Sequence, residues 1–381
     1  MTFRKKYFQS VKRIVVKIGS AVIDDPCNKF DLNAVKNIVE NISELHKKGK
    51  ELCIVSSGAV SMGMRLLNIT QKPADIVRKQ ALAAVGQGAL LHKYRELFNE
   101  YNINIAQILL SREDLEDRKR FLNVRNTINE LINMGVIPII NENDSVSVEE
   151  LRFGDNDVLS ALISIKFDAD LLIMLTTVDG LFDKNPLLYK DATFIDVIED
   201  FNEKILEMAD KKTSSVGSGG MHSKLNAAHI ATSAGIKVVI ANGKRKNVIK
   251  NILNGENVGT LICSQKCDLS SREKWIVTNT SSIGKRIYVD DGAEKAIIEK
   301  GKSLLPSGII KVEGNFNEGE IVKILNKKGE IIAKGLTNYS SLEVELIKGK
   351  KTSEIEKILG YITNKAVIHR NNMVVLKTFR R

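Results

Sequence analysis

The chain has 381 residues, with 57 Lys+Arg against 46 Asp+Glu for a formal net charge of +11, and is 43% hydrophobic and 27% charged. At about 100–200 residues per domain this predicts two domains with ample core material. The balance excludes wholesale disorder and a disulfide miniprotein, and five prolines with 26 glycines exclude collagen-like and Pro-rich classes. No apolar run approaches the roughly 20 residues of a membrane span. The N-terminus carries no signal-like apolar stretch. Cys27, Cys53, Cys263 and Cys267 are too uneven for a zinc set and read as reduced structural thiols, as in a cytoplasmic protein.

In chain order, short aliphatic runs alternate with amphipathic stretches. The runs are Ile14–Val16, Leu52–Val55, Ile137–Ile140, Leu171–Leu175 and Val238–Ile240, each suited to a strand buried on both faces. Between the first two, Asp31 caps and Gly49 ends a helix with Val35, Ile38, Val39, Ile42 and Leu45 on one face. A second helix spans Ala227 to Ala234. This repetition predicts an α/β fold, a three-layer αβα sandwich with a mostly parallel sheet whose strand order is not readable. A polar stretch at 264–284 then reads as a linker. Beyond it, strand-like runs at Ile287–Val289, Ile309–Val312, Glu320–Ile324 and Ile331–Ala333, with one helix near Ala293–Lys300, predict a small β-rich domain, a partly closed barrel. The expected division is 1–263, a linker at 264–284, and 285–381.

Each buried run ends in a loop of small and polar residues: Lys17-Ile18-Gly19-Ser20, Ser56-Ser57-Gly58-Ala59, Asn141-Glu142-Asn143-Asp144, Thr176-Thr177-Val178-Asp179-Gly180 and Ala241-Asn242-Gly243. In open α/β sheets ligands bind at the carboxyl ends of strands, where glycines and helix N-termini favour anions. Lys17, flanked by Val16 and Ile18, must either snorkel to solvent or meet a negative partner. The run Gly217-Ser218-Gly219-Gly220-Met221-His222-Ser223-Lys224 opens a helix and suits a phosphate, although it is not a Walker A motif. No G-x-G-x-x-G follows the first strand, which argues against a dinucleotide site. The groups Asn141–Asp144 and Gly154-Asp155-Asn156-Asp157 suit an amine, lysines, or magnesium shared with phosphates. The five histidines form no spaced cluster, and His222 is taken only as a neighbour of the glycine loop.

Taken in order, Val15–Ser20, Val55–Val60, Lys79–Gln87, Glu116–Asn123, Pro138–Asp144, Gly154–Asp157 and Ser218–Lys224 resemble the amino-acid kinase family, and within it the branch that phosphorylates glutamate. Val289–Ala293, Leu304–Gly308 and Val312–Phe316 resemble a PUA domain. The resemblance implies transfer of a phosphoryl group from ATP, with Mg²⁺, to the γ-carboxylate of L-glutamate, the first step of proline biosynthesis. It implies that Lys17 and Lys224 contact the phosphates and that Asp157 holds both lysines. Gly19 and Ser20 would bond near the reacting phosphoryl group. Thr176, Thr177 and the run Ser218, Gly219, Gly220, Met221, His222, Ser223 and Lys224 would line the ATP side, and Ser57, Asp144 and Asn156 would bind glutamate. No metal ligand from a protein side chain is implied, since Mg²⁺ arrives with ATP. Proline as feedback inhibitor, a homo-oligomer, and hand-off of product to glutamate-5-semialdehyde dehydrogenase belong to the same expectation. One departure is Thr177, where relatives often carry Asp. Two alternatives stay open: a kinase of another acidic metabolite, and RNA binding through the C-terminal third, where 21 Lys+Arg face 13 Asp+Glu. Against the second, these charges are scattered and the few aromatics form no stacking platform.

Overall fold

The computed structural model describes the chain except residues 1, 26, 28, 72, 147–155, 185, 187, 190, 202–204, 206–219, 265–272, 274, 275, 277–281, 283 and 377–381. The chain divides into two compact units, Met1–Asp268 and Leu269–Arg381.

The first unit is built on an eight-stranded sheet. Its strands are β1 (Arg13–Ile18), β2 (Glu51–Ser56), β3 (Ile105–Leu110), β4 (Ile137–Glu142), β5 (Leu171–Thr176), β8 (Val197–Ile198), β9 (Lys237–Asn242) and β10 (Thr260–Ile262), in the order β3-β4-β2-β1-β5-β9-β10-β8. A separate two-stranded ribbon pairs β6 (Leu181–Phe182) with β7 (Phe194–Ile195). Strands β3 through β9 of the main sheet are parallel, whereas β10 runs antiparallel to β9 and carries β8 parallel to itself. The five strands expected from continuous apolar runs are all present. The edge strand β3 and the short reversed pair β10 and β8 were not expected.

Side-chain alternation along β1 explains the two outer layers. Ile14, Val16 and Ile18 join one core with α1 (Phe3–Phe8), α3 (Leu32–Lys47), α4 (Ala59–Leu66), α5 (Ile76–Asn99) and α10 (Val248–Leu253). Val15 joins a second core with α6 (Arg112–Glu116), α7 (Arg118–Asn133), α8 (Asn156–Lys166) and α9 (Met221–Ser233). Lys17, in step with Val15, therefore belongs to the face covered by α8 and α9. A short α2 (Ser20–Ile23) follows β1 directly.

Helix α3 forms as expected: Asp31 accepts from the Ala34 amide at 3.0 Å, Gly49 follows with φ +79°, and all five residues of the expected apolar stripe are buried. Helix α9 starts at Met221 with Gly220 at the N-cap, as the glycine run predicts, and so extends beyond the Ala227–Ala234 stretch on its N-terminal side. Helices α4 and α5 meet almost backbone to backbone, since a Cβ on Gly86 would lie 1.9 Å from the Ala59 carbonyl oxygen, and one on Gly63 2.0 Å from that of Leu82. Helix α1 is tied to the reversed sheet edge by Arg4, only 5% exposed. Its guanidinium donates to the carbonyls of Asp196 (2.5 Å), Gly259 (2.8 Å) and Val258 (3.0 Å).

The second unit carries a five-stranded sheet ordered β12-β11-β13-β14-β15, with β11 (Arg286–Val289), β12 (Ile309–Glu313), β13 (Ile321–Leu325), β14 (Ile331–Leu336) and β15 (Met373–Val375). The expected helix is α11 (Asp291–Ile298), and α12 (Ser341–Ile347) and α13 (Ile355–Leu359) are additions to the expectation. Ile287, Val322, Ile324, Ile332 and Val344 form its own core. No helix among the described residues is long and apolar enough to cross a membrane.

Candidate active site

The chain leaves β1 toward β2 on one side and leaves β5 toward β9 on the other, so the strand order reverses between β1 and β5, the place where open α/β sheets bind ligands at the carboxyl edge. Backbone hydrogen bonds bind neighbouring loops to this edge. The Gly19 amide donates to the Leu175 carbonyl at 3.3 Å, Ser57 to Ile18 at 3.1 Å, Asn143 to Leu110 at 2.8 Å, and Gly243 to Thr176 at 2.8 Å.

Three ionisable side chains meet there. Asp157, on the first turn of α8, is 0% exposed; its Oδ1 lies 2.5 Å from Lys17 Nζ and its Oδ2 3.1 Å from Lys224 Nζ. Lys17 is 2% and Lys224 5% exposed, so Lys17 does not snorkel but meets a negative partner. Burying ammonium groups costs several kcal/mol each unless a close counter-charge offsets it, and one shared carboxylate performs that for two. Gly19 belongs to the packing: a Cβ there would stand 3.3 Å from the Leu175 carbonyl oxygen and 3.7 Å from Lys17 Nζ. Ser20 opens α2 and is half-buried. On α9, Gly220 and His222 are exposed, and Met221 and Ser223 half-buried. Thr176 ends β5 half-buried, with Thr177 exposed beside it. Two residues further, Asp179 accepts from Asn242 Nδ2 at 3.1 Å and pairs with Arg245 at 2.6 Å. Ser218, Gly219, Gly154 and Asp155 lie outside the described residues.

A second, neutral cluster adjoins the first through Asn156, the neighbour of Asp157. Asn156 Nδ2 faces Ser57 Oγ at 2.8 Å, the Ser56 carbonyl at 3.0 Å and Asn141 Oδ1 at 2.8 Å. Asn141 Oδ1 also accepts from the Glu142 amide at 2.9 Å, and Asn141 Nδ2 donates to Gln87 Oε1 at 2.7 Å. Ser56 Oγ and the Tyr94 hydroxyl are 2.9 Å apart. Burial pushes that phenol above its ordinary range, so it stays protonated and able to donate. Asp144 lies half-buried in the turn after β4. Gln87, Tyr94 and Ser56 have no individual role in the sequence reading, and Asn141 has one only as a member of the group suited to an amine, lysines or magnesium. Gln87, Ser56 and Asn141 stand inside segments singled out there, but an amide or hydroxyl alone carries little signal. The structure thus groups Lys17, Asp157 and Lys224, and separately Ser57 with Asn156.

Fold and site together define a phosphotransferase of the α/β type: the model of the amino acid kinase family matches residues 12–242 and that of the PUA domain residues 285–359, and the chain belongs to the amino acid kinase family. Its curated relatives include the glutamate 5-kinase of Caldanaerobacter subterraneus subsp. tengcongensis, 49% identical over 96% of this chain and 98% of the relative. Those of Carboxydothermus hydrogenoformans and Pelobacter propionicus are 44% and 42% identical, each over 98% of this chain and 100% of the relative.

Proposed function

We propose that this chain transfers the γ-phosphoryl group of Mg²⁺-bound ATP to the γ-carboxylate of L-glutamate, giving ADP and L-glutamyl 5-phosphate, the first step of proline biosynthesis. The observation that carries the reading is the buried Lys17–Asp157–Lys224 cluster at the carboxyl edge of the sheet. A γ-carboxylate is ionised at neutral pH and already nucleophilic, so the reaction needs no general base. One carboxylate oxygen forms a bond to the γ-phosphorus, and the bond from that phosphorus to the β–γ bridging oxygen breaks, the oxygen leaving with its electron pair as part of ADP. The enzyme's work is in-line positioning and neutralisation of charge on the transferring group.

Lys17 and Lys224 supply that positive charge, and Asp157 fixes their direction before substrate arrives, which removes reorganisation from the barrier. Gly19 and Ser20 offer hydrogen bonds near the transferring group. Thr176, Thr177 and residues 218–224 line the nucleotide. Mg²⁺ enters as part of that nucleotide. On the acceptor side, Ser57 Oγ already accepts from Asn156, which leaves its own proton to donate to a carboxylate. Asp144 and the Asn156 amide oxygen provide acceptors for the ammonium. Proline shares the α-amino and α-carboxylate groups and competes at this side, across residues 144–156. Residues 1–263 form the kinase domain and 285–381 the PUA-like domain, with 264–284 linking them. A cytoplasmic homo-oligomer that hands its product to glutamate-5-semialdehyde dehydrogenase completes the proposal.

The test is hydroxylamine trapping with ATP, Mg²⁺ and L-glutamate, coupled to ADP release. ATP-dependent γ-glutamyl hydroxamate is the expected product. Turnover of aspartate or N-acetylglutamate but not glutamate would transfer the reading to another acidic metabolite.

A further inference from the structure

Helix α5 reaches the acceptor side through two residues seven apart, hence on one face: Gln87 at Asn141 and Tyr94 at Ser56. Gly86, next to Gln87, packs directly against the backbone of α4 at Ala59 and Gly63. We propose that Gln87 is a positioning residue that steadies a relay of amides and so helps the site read a free ammonium group on its substrate. This inference rests on the glutamate-kinase reading above.

The argument follows from what an amide can do: its oxygen accepts and its nitrogen donates. Gln87 Oε1 takes the nitrogen of Asn141, while the Glu142 backbone amide, which can only donate, holds the Asn141 oxygen on the side of Asn156. Asn156 then meets acceptors on Asn141, Ser57 and Ser56, which draws its nitrogen inward. Its oxygen faces the other way, buried and with no hydrogen-bond partner among the described residues. A buried amide oxygen without a donor is costly, and a ligand ammonium supplies the donor. Without the Gln87 acceptor, the Asn141 nitrogen loses its buried partner, and the relay is held only by the Glu142 amide and the Ser56 carbonyl, which loosens the Asn156 oxygen that the ammonium meets. Asn141 is 2% exposed, so water cannot readily replace the lost partner.

The experiment compares L-glutamate with glutarate, which lacks only the amine, in wild type, Gln87→Leu, Gln87→Met and Gln87→Glu, with melting temperature recorded for each. In Leu and Met variants KM for glutamate should rise roughly tenfold while KM for ATP and the kinetics with glutarate stay within about twofold, as expected for loss of one buried hydrogen-bond partner. Gln87→Glu keeps an accepting oxygen and should restore most of the preference. Calorimetric titration with each dicarboxylate, without ATP, should give the same ordering. An unchanged glutamate-to-glutarate ratio in a folded Leu or Met variant overturns the inference, as does an equal rise in KM for glutamate and ATP. If Leu and Met variants both fail to fold, a Gln87→Glu variant that loses the glutamate preference, or an Asn156→Asp variant that prefers glutarate, overturns it. A wild type that turns over neither dicarboxylate refutes the parent reading itself, and this inference with it.

Discussion

Replacing Asp157 by Asn keeps the shape of the side chain and removes one negative charge. Two ammonium groups, 2.5 and 3.1 Å away and almost fully buried, then lose the carboxylate between them. Breaking a buried ion pair by removing one member costs about 3–5 kcal/mol, because the remaining charge stays desolvated. At about 2–4 °C per kcal/mol for a domain of this size, the melting temperature should fall by roughly 6–20 °C. Activity should fall further than stability accounts for. With the lysines no longer aimed, kcat should drop about 10²–10³-fold even below the new transition, the scale seen when one preorganised stabilising group is lost. Lys17→Met separates the two effects. It should lower kcat to a similar degree but shift the melting temperature less, since Asp157 keeps Lys224. The assay is hydroxamate trapping at saturating ATP and glutamate, alongside differential scanning calorimetry. If Asp157→Asn melts within about 2 °C of wild type and keeps kcat within a few-fold, the carboxylate neither offsets the buried charge nor directs the lysines.

Two more expectations concern packing and pH. Gly86→Ala must push α5 off the Ala59 carbonyl and should cost at least about 1–3 kcal/mol with a raised KM for glutamate, whereas Gly88→Ala, which meets nothing within 4 Å, should be neutral or slightly stabilising; equal effects in thermal melts would refute the crossing argument. In the second unit, burial pushes Lys334 down to about 8, with Lys323 opposite it across β13 and β14 adding repulsion. The unfolded chain therefore holds more protons between pH 8 and the ordinary lysine range, so this unit should gain stability as pH rises through that window; Lys334→Met should raise the melting temperature at pH 7 and flatten the pH dependence, and a variant that melts lower at pH 7 would contradict the argument.

The legibility of the fold tracked how fully each element is covered. Strands β1, β2, β4, β5 and β9 are buried on both faces, so their sequences are unbroken apolar runs. Strand β3 sits at the sheet edge and leaves part of both faces open, and β10 and β8, with three and two residues, are too short for any period to register. Helix α5 hides its face behind glycines needed for close approach, so its sequence Ala84-Val85-Gly86-Gln87-Gly88 resembles a loop as much as a helix. In the site, Lys17 stood out because a charge between apolar neighbours needs an explanation. Its partner stands 140 positions later, a link that spacing cannot reveal. Gln87 and Tyr94 are illegible for a different reason: each acts only through a neighbour, the Asn141 amide and the Ser56 hydroxyl, that stands far from it in the chain.

The Arg4 tether has a consequence for synthesis. Residue 4 leaves the ribosome long before its carbonyl acceptors, which lie 192, 254 and 255 positions downstream. Throughout most of translation α1 has nowhere to dock, and its buried arginine and Phe8 must wait in solvent. Closing so long a loop is slow, because chain entropy opposes it until the last contacts form. The docking of α1 is therefore a late event, completed only when the Val258 and Gly259 carbonyls emerge. A stalled or truncated nascent chain ending before that point holds every residue of the lysine cluster while its first helix remains unanchored, a species prone to capture by chaperones.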